Sequence, residues 1–576
     1  MNRSDKTNNI MRRSIILLLT ALSFAPGLTA QETFKWTEKA RAAVFSVITY
    51  SADDKIIGTG NGFYIAADGT AVSDFSLFKG AQRAVIVTAD GLELPVMYIM
   101  GANEMYDVVK FKAAQASKPV TLSVAYTAPQ VGETVYLLPY STQKASTLQR
   151  GTVQRVDTIS GGHPYYTIDM QTADKNVSCP VMNAAGQVIG MVQKSASADS
   201  KESYAIGVGY ASALSITAFS AQNSALNSIG IKKGLPEDES QALVYLYMNA
   251  TQISNEDYLN LLNDFISNYP RNAEGYQRRA TCYMAFGDDQ HNALADADLK
   301  KSLSVADKKE DSYYNIAKIL YSYNISLGDG TPYTGWDYNK ALENIESAIK
   351  ISDQPTYRQT QGDIYFAMQK YPEACEAYLA VCNSPMKSAQ SFYSAAMSKE
   401  LTEGADLGEV LALMDSAVAQ YARPYGKETA PYVYERARIK TQLEKWREAV
   451  VDFNDFYTAM LGQVTADFYI TREQAEVKGR MFKQAIDDVN KAVELEPQNV
   501  DFWVEKAGVH IRVNQLDEAI AALGESINID GTNSGAYRML GYCQLQKGDK
   551  EAGLANLQKA VELGDDTAAS LIEKYK

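Results

Sequence analysis

The sequence predicts two folds in one chain, an all-β N-terminal half and an all-α C-terminal half. Three observations carry this. From Ala43, short apolar runs alternate with polar turns at intervals of roughly 8–12 residues, the rhythm of a barrel or sandwich. Beyond Ser224 that rhythm stops and helical periodicity replaces it. Within the helical part, a small residue ahead of an apolar pair recurs at Ala341, Ala374, Ala449, Ala485, Ala519 and Gly553. The steps are 33 to 36 residues, with Val410 near the missing position between Ala374 and Ala449. A period of that size marks a repeat array.

A chain of 576 residues is long enough for several domains. Its 46% hydrophobic and 22% charged content is that of ordinary folded protein. The net charge of −14 and the absence of a basic run argue against nucleic-acid binding, which needs clustered Lys and Arg. Tyr, at 37, outnumbers Phe, at 17, which favours half-buried amphipathic surfaces of the kind that suit peptide grooves.

Residues 1–30 read as an export signal: a basic flank at Arg12 and Arg13, an apolar core from Ser14 to Phe24, and a small-residue end at Leu28-Thr29-Ala30. The apolar run is short for a membrane span, and no Cys follows it for lipid attachment. The expectation is an exported, soluble chain without a transmembrane segment once the signal is cleaved. The five cysteines, Cys179, Cys282, Cys375, Cys382 and Cys543, are too dispersed for a disulfide framework and read as small core residues.

In the β half, strand signals run through 43–50 (AVFSVITY), 56–66 (IIGTGNGFYIA), 83–89 (RAVIVTA) and 94–100 (LPVMYIM). Gly58, Gly60 and Gly62 do not make a dinucleotide loop, because a turn follows them where a helix is required. Three ordered blocks are more specific: residues 58–81 (GTGNGFYIAADGTAVSDFSLFKGA), residues 101–112 (GANEMYDVVKFK), and Lys175-Asn176-Val177-Ser178-Cys179-Pro180 with a hairpin returning through Val188-Ile189-Gly190. Together they resemble the HtrA/Deg-type trypsin-like serine proteases. The resemblance implies a trypsin-like double barrel over 34–222. It also places the triad positions at Ser76 for the base, Asp107 for the acid and Val177 for the nucleophile.

Only the aspartate is of the expected type. Valine has no nucleophilic atom, and a serine hydroxyl is a poor proton acceptor beside imidazole. The turn glycines that the family uses around the oxyanion hole are Lys175, Ser178 and Cys179 here, which predicts a remodelled loop. Asp107 is then expected to act as a strand-end polar group. Of the three histidines, His163, His291 and His510, only His163 lies in the β half. A Cys179/His163 pair is therefore the one catalytic rescue, set against a buried structural cysteine and a surface-loop histidine.

Residues 223–238 read as a linker by Gly, Pro and charge. Residues 239–576 follow as an all-α region. Its clearest copies, 502–530 and 536–564, carry the large-and-small pattern of the tetratricopeptide repeat. The resemblance implies a TPR solenoid of about seven to eight helix–turn–helix units, with an insertion over 326–340 and a polar capping helix from Asp566. Such a solenoid lines one face with first helices and takes an extended peptide or partner helix there. The candidate peptide-contacting residues are Tyr276, Tyr283, Tyr365, Tyr432 and Trp503, each weighed against a place in the inter-helix core. Nothing in the sequence calls for a metal or a cofactor.

The sequence thus points to an exported, non-catalytic protein-binding scaffold or chaperone-like protein, with the periplasm of a Gram-negative bacterium as the expected compartment. One rival is an active trypsin-like peptidase using Cys179 and His163. Another is a barrel that merely caps the solenoid.

Overall fold

The computed structural model describes residues 34–575, apart from 126, 144–146, 196, 198, 199 and 329; the expected export signal lies outside them. The chain divides into two compact units, the first ending at Phe286 and the second starting at Gly287.

The first unit opens with two closed antiparallel barrels. Strands β1 (Val44–Tyr50), β2 (Ile56–Tyr64), β3 (Thr70–Ser73), β4 (Arg83–Val87), β5 (Glu93–Asn103) and β6 (Val108–Ala113) close in the order β1-β2-β3-β6-β5-β4. Strands β7 (Thr134–Leu137), β8 (Gln149–Ile159), β9 (His163–Asp169), β10 (Pro180–Met182), β11 (Val188–Gln193) and β12 (Glu202–Gly207) close in the order β10-β11-β12-β9-β8-β7. Alternating side chains fill each interior, as the period of a strand dictates. In the first barrel Phe45, Phe78 and Phe111 meet edge-on or tilted. In the second, Val135, Leu137, Val153, Ile168, Val181 and Val192 are fully buried. The glycines of β2 serve packing. A Cβ on Gly62 would fall 2.6 Å from both the Phe45 ring and the Val72 carbonyl oxygen.

The segment expected to be a linker is held against the first barrel. The Gly230 N–H donates to Ala81 O at 2.7 Å, and the Ile99 N–H donates to Lys232 O at 2.8 Å. Ile229 and Ile231 are buried. These two alternating isoleucines bury apolar area, while Lys232 O and the Gly234 N–H just beyond them satisfy the Ile99 backbone groups of β5. Composition counted Gly, Pro and charge there and passed over the isoleucines. The first unit continues into helices α1 (Glu239–Asn249), α2 (Asn255–Asn268) and α3 (Ala273–Met284). Their N-cap residues Asp238, Ser254 and Asn272 each accept a backbone N–H.

The second unit is all helical. It comprises α4 (Asp289–Val305), α5 (Lys309–Leu327), α6 (Tyr338–Ile351), α7 (Pro355–Ala367), α8 (Tyr371–Cys382), α9 (Ala389–Glu400), α10 (Leu407–Val418), α11 (Ala430–Gln442) and α12 (Trp446–Ala459). It goes on through α13 (Ala466–Lys478), α14 (Phe482–Leu495), α15 (Val500–Arg512), α16 (Leu516–Ile529), α17 (Ser534–Lys547), α18 (Lys550–Glu562) and α19 (Asp566–Tyr575). Hairpins run from α5/α6 to α17/α18. The periodic small residues set their spacing: Ala341, Ala374, Val410, Ala449, Ala485 and Ala519 are all fully buried on second helices. At the last hairpin a Cβ on Gly541 would come within 2.7 Å of Gly553 O, so the two backbones touch where no side chain fits. All five cysteines are buried and unpaired. Among the described residues, no helix is long and apolar enough to cross a membrane.

Candidate functional site

Of the three positions that the resemblance assigns to a triad, Ser76 and Asp107 are in contact. Ser76 lies on a single helical turn, Phe75–Phe78, and its backbone N–H donates to Asp107 Oδ1 at 2.6 Å. Asp107 adopts a positive φ of 47° at the mouth of β6. The carboxylate is therefore spent on a backbone group, and Ser76 offers it no imidazole to orient. Val177 sits in extended conformation after a 3₁₀ turn, Asp174–Asn176.

That turn has closed on itself. The Val177 N–H donates to Asp174 O at 3.2 Å and the Asn176 N–H to Ala173 O at 2.9 Å. An oxyanion hole needs such N–H groups free and aimed at the reacting oxygen. Asn61 of β2 pins the turn from the first barrel, its Nδ2 donating to Lys175 O at 2.8 Å and to Val177 O at 2.9 Å. Ser178 has a φ of 65°, a strained value without glycine. Its backbone N–H donates to Val192 O, and its hydroxyl donates to Asp74 Oδ1 at 2.6 Å.

Asp74 and Asn61 escaped the sequence reading. Asp74 precedes the Phe75–Phe78 turn, yet its side chain does not cap it. It reaches the nucleophile turn and also accepts from Ser73 Oγ at 3.2 Å. Burial pushes its carboxylate up, the Ser178 hydrogen bond works against that, and the Asp107 charge pushes it further up. No local sequence pattern marks either residue. The turn is thus tied to the first barrel by two side chains. Replacing Asn61 with alanine is expected to cost about 1–3 kcal/mol, the usual penalty for orphaned buried acceptors. Hydrogen exchange at residues 174–178 should speed up, and unchanged exchange there would mean that Asn61 does not hold the turn.

Cys179 and His163 occupy different surroundings. Cys179 is fully buried in the second-barrel core among Val181, Leu138 and Val192, and burial pushes its thiol up to about 12. His163 starts β9, with its ring against Tyr210 and Gly209. Among the described residues no hydrogen bond joins the two.

The five aromatic side chains proposed for peptide contact are dispersed. Tyr276 is buried and its hydroxyl donates to Pro270 O; Tyr283 is half-buried on the same helix. Tyr365 donates to Glu346, Tyr432 donates to Gln390 and stacks on Tyr421, and the Trp503 indole donates to Pro497 O. A cavity of the second unit lies elsewhere. It measures about 720 Å³ and is lined from successive first helices: Tyr321 of α5, Asp363 and Phe366 of α7, Tyr393 and Met397 of α9, and Arg438 of α11. Tyr378 of α8 also lines it. Among the described residues, no cluster of His, Cys, Asp or Glu is set to hold a metal.

The double barrel is a trypsin-like domain, and the helical region is of the tetratricopeptide type. The chain is a fusion of the two. The trypsin-like peptidase domain family matches residues 60–191. Human mitochondrial import receptor subunit TOM70 is 21% identical over 235 residues, 39% of this chain and 37% of that protein. Mouse sperm-associated antigen 1 is 30% identical over 132 residues, 23% of this chain and 13% of that protein. Yeast small glutamine-rich tetratricopeptide repeat-containing protein 2 is 23% identical over 93 residues, 16% of this chain and 27% of that protein. The chain therefore spans well under half the length of these relatives. Among solved structures, the serine endoprotease from Yersinia pestis is similar at 16% identity with a TM-score of 0.27, over 34% of this chain and 68% of that one.

Proposed function

We propose that this protein is an exported, non-catalytic protein-binding scaffold with a chaperone-like role, placed in the periplasm of a Gram-negative bacterium. A protein-interaction scaffold is what a trypsin-like domain joined to tetratricopeptide-type repeats supports. The single observation behind non-catalysis is the state of the old protease centre. Ser76 and Val177 supply neither base nor nucleophile, and the Val177 N–H is consumed within its own turn. Losing such a unit costs on the order of 10⁶ in turnover, a magnitude taken from a bacterial serine protease. Export rests on the charge and apolar pattern of residues 1–30. In this reading the barrels hold or cap protein segments without cutting them.

The test treats the purified chain with serine- and cysteine-directed covalent probes and follows turnover of a peptide library. The expected result is no turnover and no rapid labelling. All five thiols are buried, so reagent should enter only on unfolding. Stoichiometric labelling of Cys179 in the native protein, together with cleavage, would sink the proposal and revive a Cys179/His163 peptidase.

A further inference from the structure

The cavity on the first helices of the second unit has a definite chemistry. Its lining carries a carboxylate, Asp363, whose Oδ1 accepts from the Tyr378 hydroxyl at 2.8 Å and from Gln359 Nε2 at 3.1 Å. Asp363 Oδ2 carries no hydrogen bond among the described residues, and it is not one of the sealed, unpartnered buried atoms. That oxygen is the open face of the group. Tyr378 donates to the carboxylate, Tyr321 feels its charge, and Phe366 and Tyr393 line the same cavity. The other charges on the lining cancel. Arg438 is gripped by both oxygens of Glu400, at 2.8 and 2.6 Å, and by Glu435 at 2.7 Å. Two carboxylates and one guanidinium line the cavity, which leaves it negative, and Glu435 behind Arg438 makes it more so.

A desolvated carboxylate with one open oxygen, in a cavity lined by aromatic rings, is a receptor for a cation. The carboxylate supplies a charge-assisted hydrogen bond, and the ring faces attract the same positive charge. The cavity is open, and part of its lining is apolar. Phe366 and Leu401 are 37% and 52% exposed on its rim, and Met397 lines the wall. A volume near 720 Å³ is larger than one side chain needs and suits a run of residues. Burial raises the Asp363 carboxylate above its ordinary range, against the lowering effect of its two hydrogen-bond donors. An anion in that condition gains more from a cation than a solvated one does.

We infer that this cavity binds an extended peptide segment of a partner protein through a basic side chain, Arg or Lys, whose charged end meets Asp363 Oδ2 while flanking apolar residues pack on Phe366, Met397 and Leu401. The inference rests on the protein-binding reading above and deepens it. It gives the partner a sign, a basic anchor between apolar neighbours, which also suits a chain of net charge −14.

The experiment measures binding of short capped peptides to the whole chain by calorimetry or fluorescence anisotropy. Each peptide carries one central residue, Arg, Lys, norleucine or Glu, in the same apolar frame, and free lysine amide serves as the small-amine control. The Arg and Lys peptides are expected to bind at least about tenfold tighter than the norleucine and Glu peptides. Lysine amide should bind far more weakly, since it lacks the apolar frame. Asp363→Asn keeps the shape and should remove about tenfold or more of the Arg-peptide affinity. Ser394→Tyr narrows the cavity without touching Asp363 and should do the same. Thermal melts check that both variants fold. Wild-type affinity in folded Asp363→Asn, equal binding of Glu and Arg peptides, lysine amide binding as tightly as the peptides, or no binding by any peptide would each overturn the inference. The broader reading fails separately, if cross-linking of the native chain attaches no protein to residues 287–576.

Discussion

Replacing Asp452 with alanine is expected to remove about 3–5 kcal/mol of stability, the usual cost of stranding a buried charge. Asp452 on α12 is 1% exposed and neutralises two cations of α11 at once. Arg436 donates Nη2 to Oδ1 at 2.7 Å and Nε to Oδ2 at 2.9 Å, and Lys440 donates Nζ at 2.8 Å. Arg436 also reaches Asp415 of α10 at 3.1 Å, so one cation links two hairpins. Without Asp452, Arg436 cannot shed its proton, and the two cations face each other in a nearly dry seam. Because contacts in a repeat array are local, the loss should concentrate there. Urea titration should show it globally, and hydrogen exchange should open α11 and α12 while α15 to α18 stay protected. Replacing Asp452, Arg436 and Lys440 together by apolar residues of similar volume should be close to neutral, because the one charge left without its partner, Asp415, faces solvent. A change under about 1 kcal/mol for the single variant would show that water reaches the seam and screens it.

The hairpin register was readable because it is periodic. The alanines that repeat in the sequence are the residues buried between paired helices, and the same register carries charge. Arg436 and Asp452 are 16 residues apart, as are Arg472 and Asp488, one repeat further along. An Arg on the first helix facing an Asp on the second is therefore present as a spacing that the apolar period does not carry. Ser76 and Asp107, 31 residues apart in the chain, do meet through a backbone hydrogen bond. What no local pattern exposed is the Ser178–Asp74 contact, which spans 104 residues and crosses from one barrel to the other. The cavity was hidden for a related reason. Tyr321, Asp363 and Tyr393 each sit on a first helix where an inward-facing residue reads as core. Only the assembled curvature leaves space among them. Tyr276 and Trp503 obeyed the same pattern and were consumed by packing and by hydrogen bonds to nearby carbonyls.

The stability of the second unit is expected to fall as pH rises from about 5 to about 8, and a double substitution Glu473→Gln/Glu476→Gln should abolish that slope. Both side chains sit on α13, 2% exposed, each with an Oε2 that is buried and has no hydrogen-bond partner among the described residues. Burial pushes each carboxyl up to about 8. Glu505 adds to the effect at Glu473 and Asp488 adds to it at Glu476, while Arg512 and Arg472 oppose it. A folded-state value above the unfolded one means that the native chain holds protons the unfolded chain has released. The contribution of the protonated carboxyls is complete below the ordinary value of 4.5 and is lost progressively up to about 8. Each site can change stability by up to about 1.4 kcal/mol per pH unit, and the charge of Glu473 adds to the rise at Glu476. Few other groups interfere, since the chain has only three histidines. Glutamine keeps the shape and carries no charge to desolvate. The double variant should therefore match the wild type near pH 5 and exceed it by a few kcal/mol at pH 8, on the same linkage. Urea midpoints measured across this range would decide it. Parallel profiles for the two proteins would mean that these carboxylates ionise with water at hand, and that the seam between α13, α14 and α15 is wetter than its burial indicates.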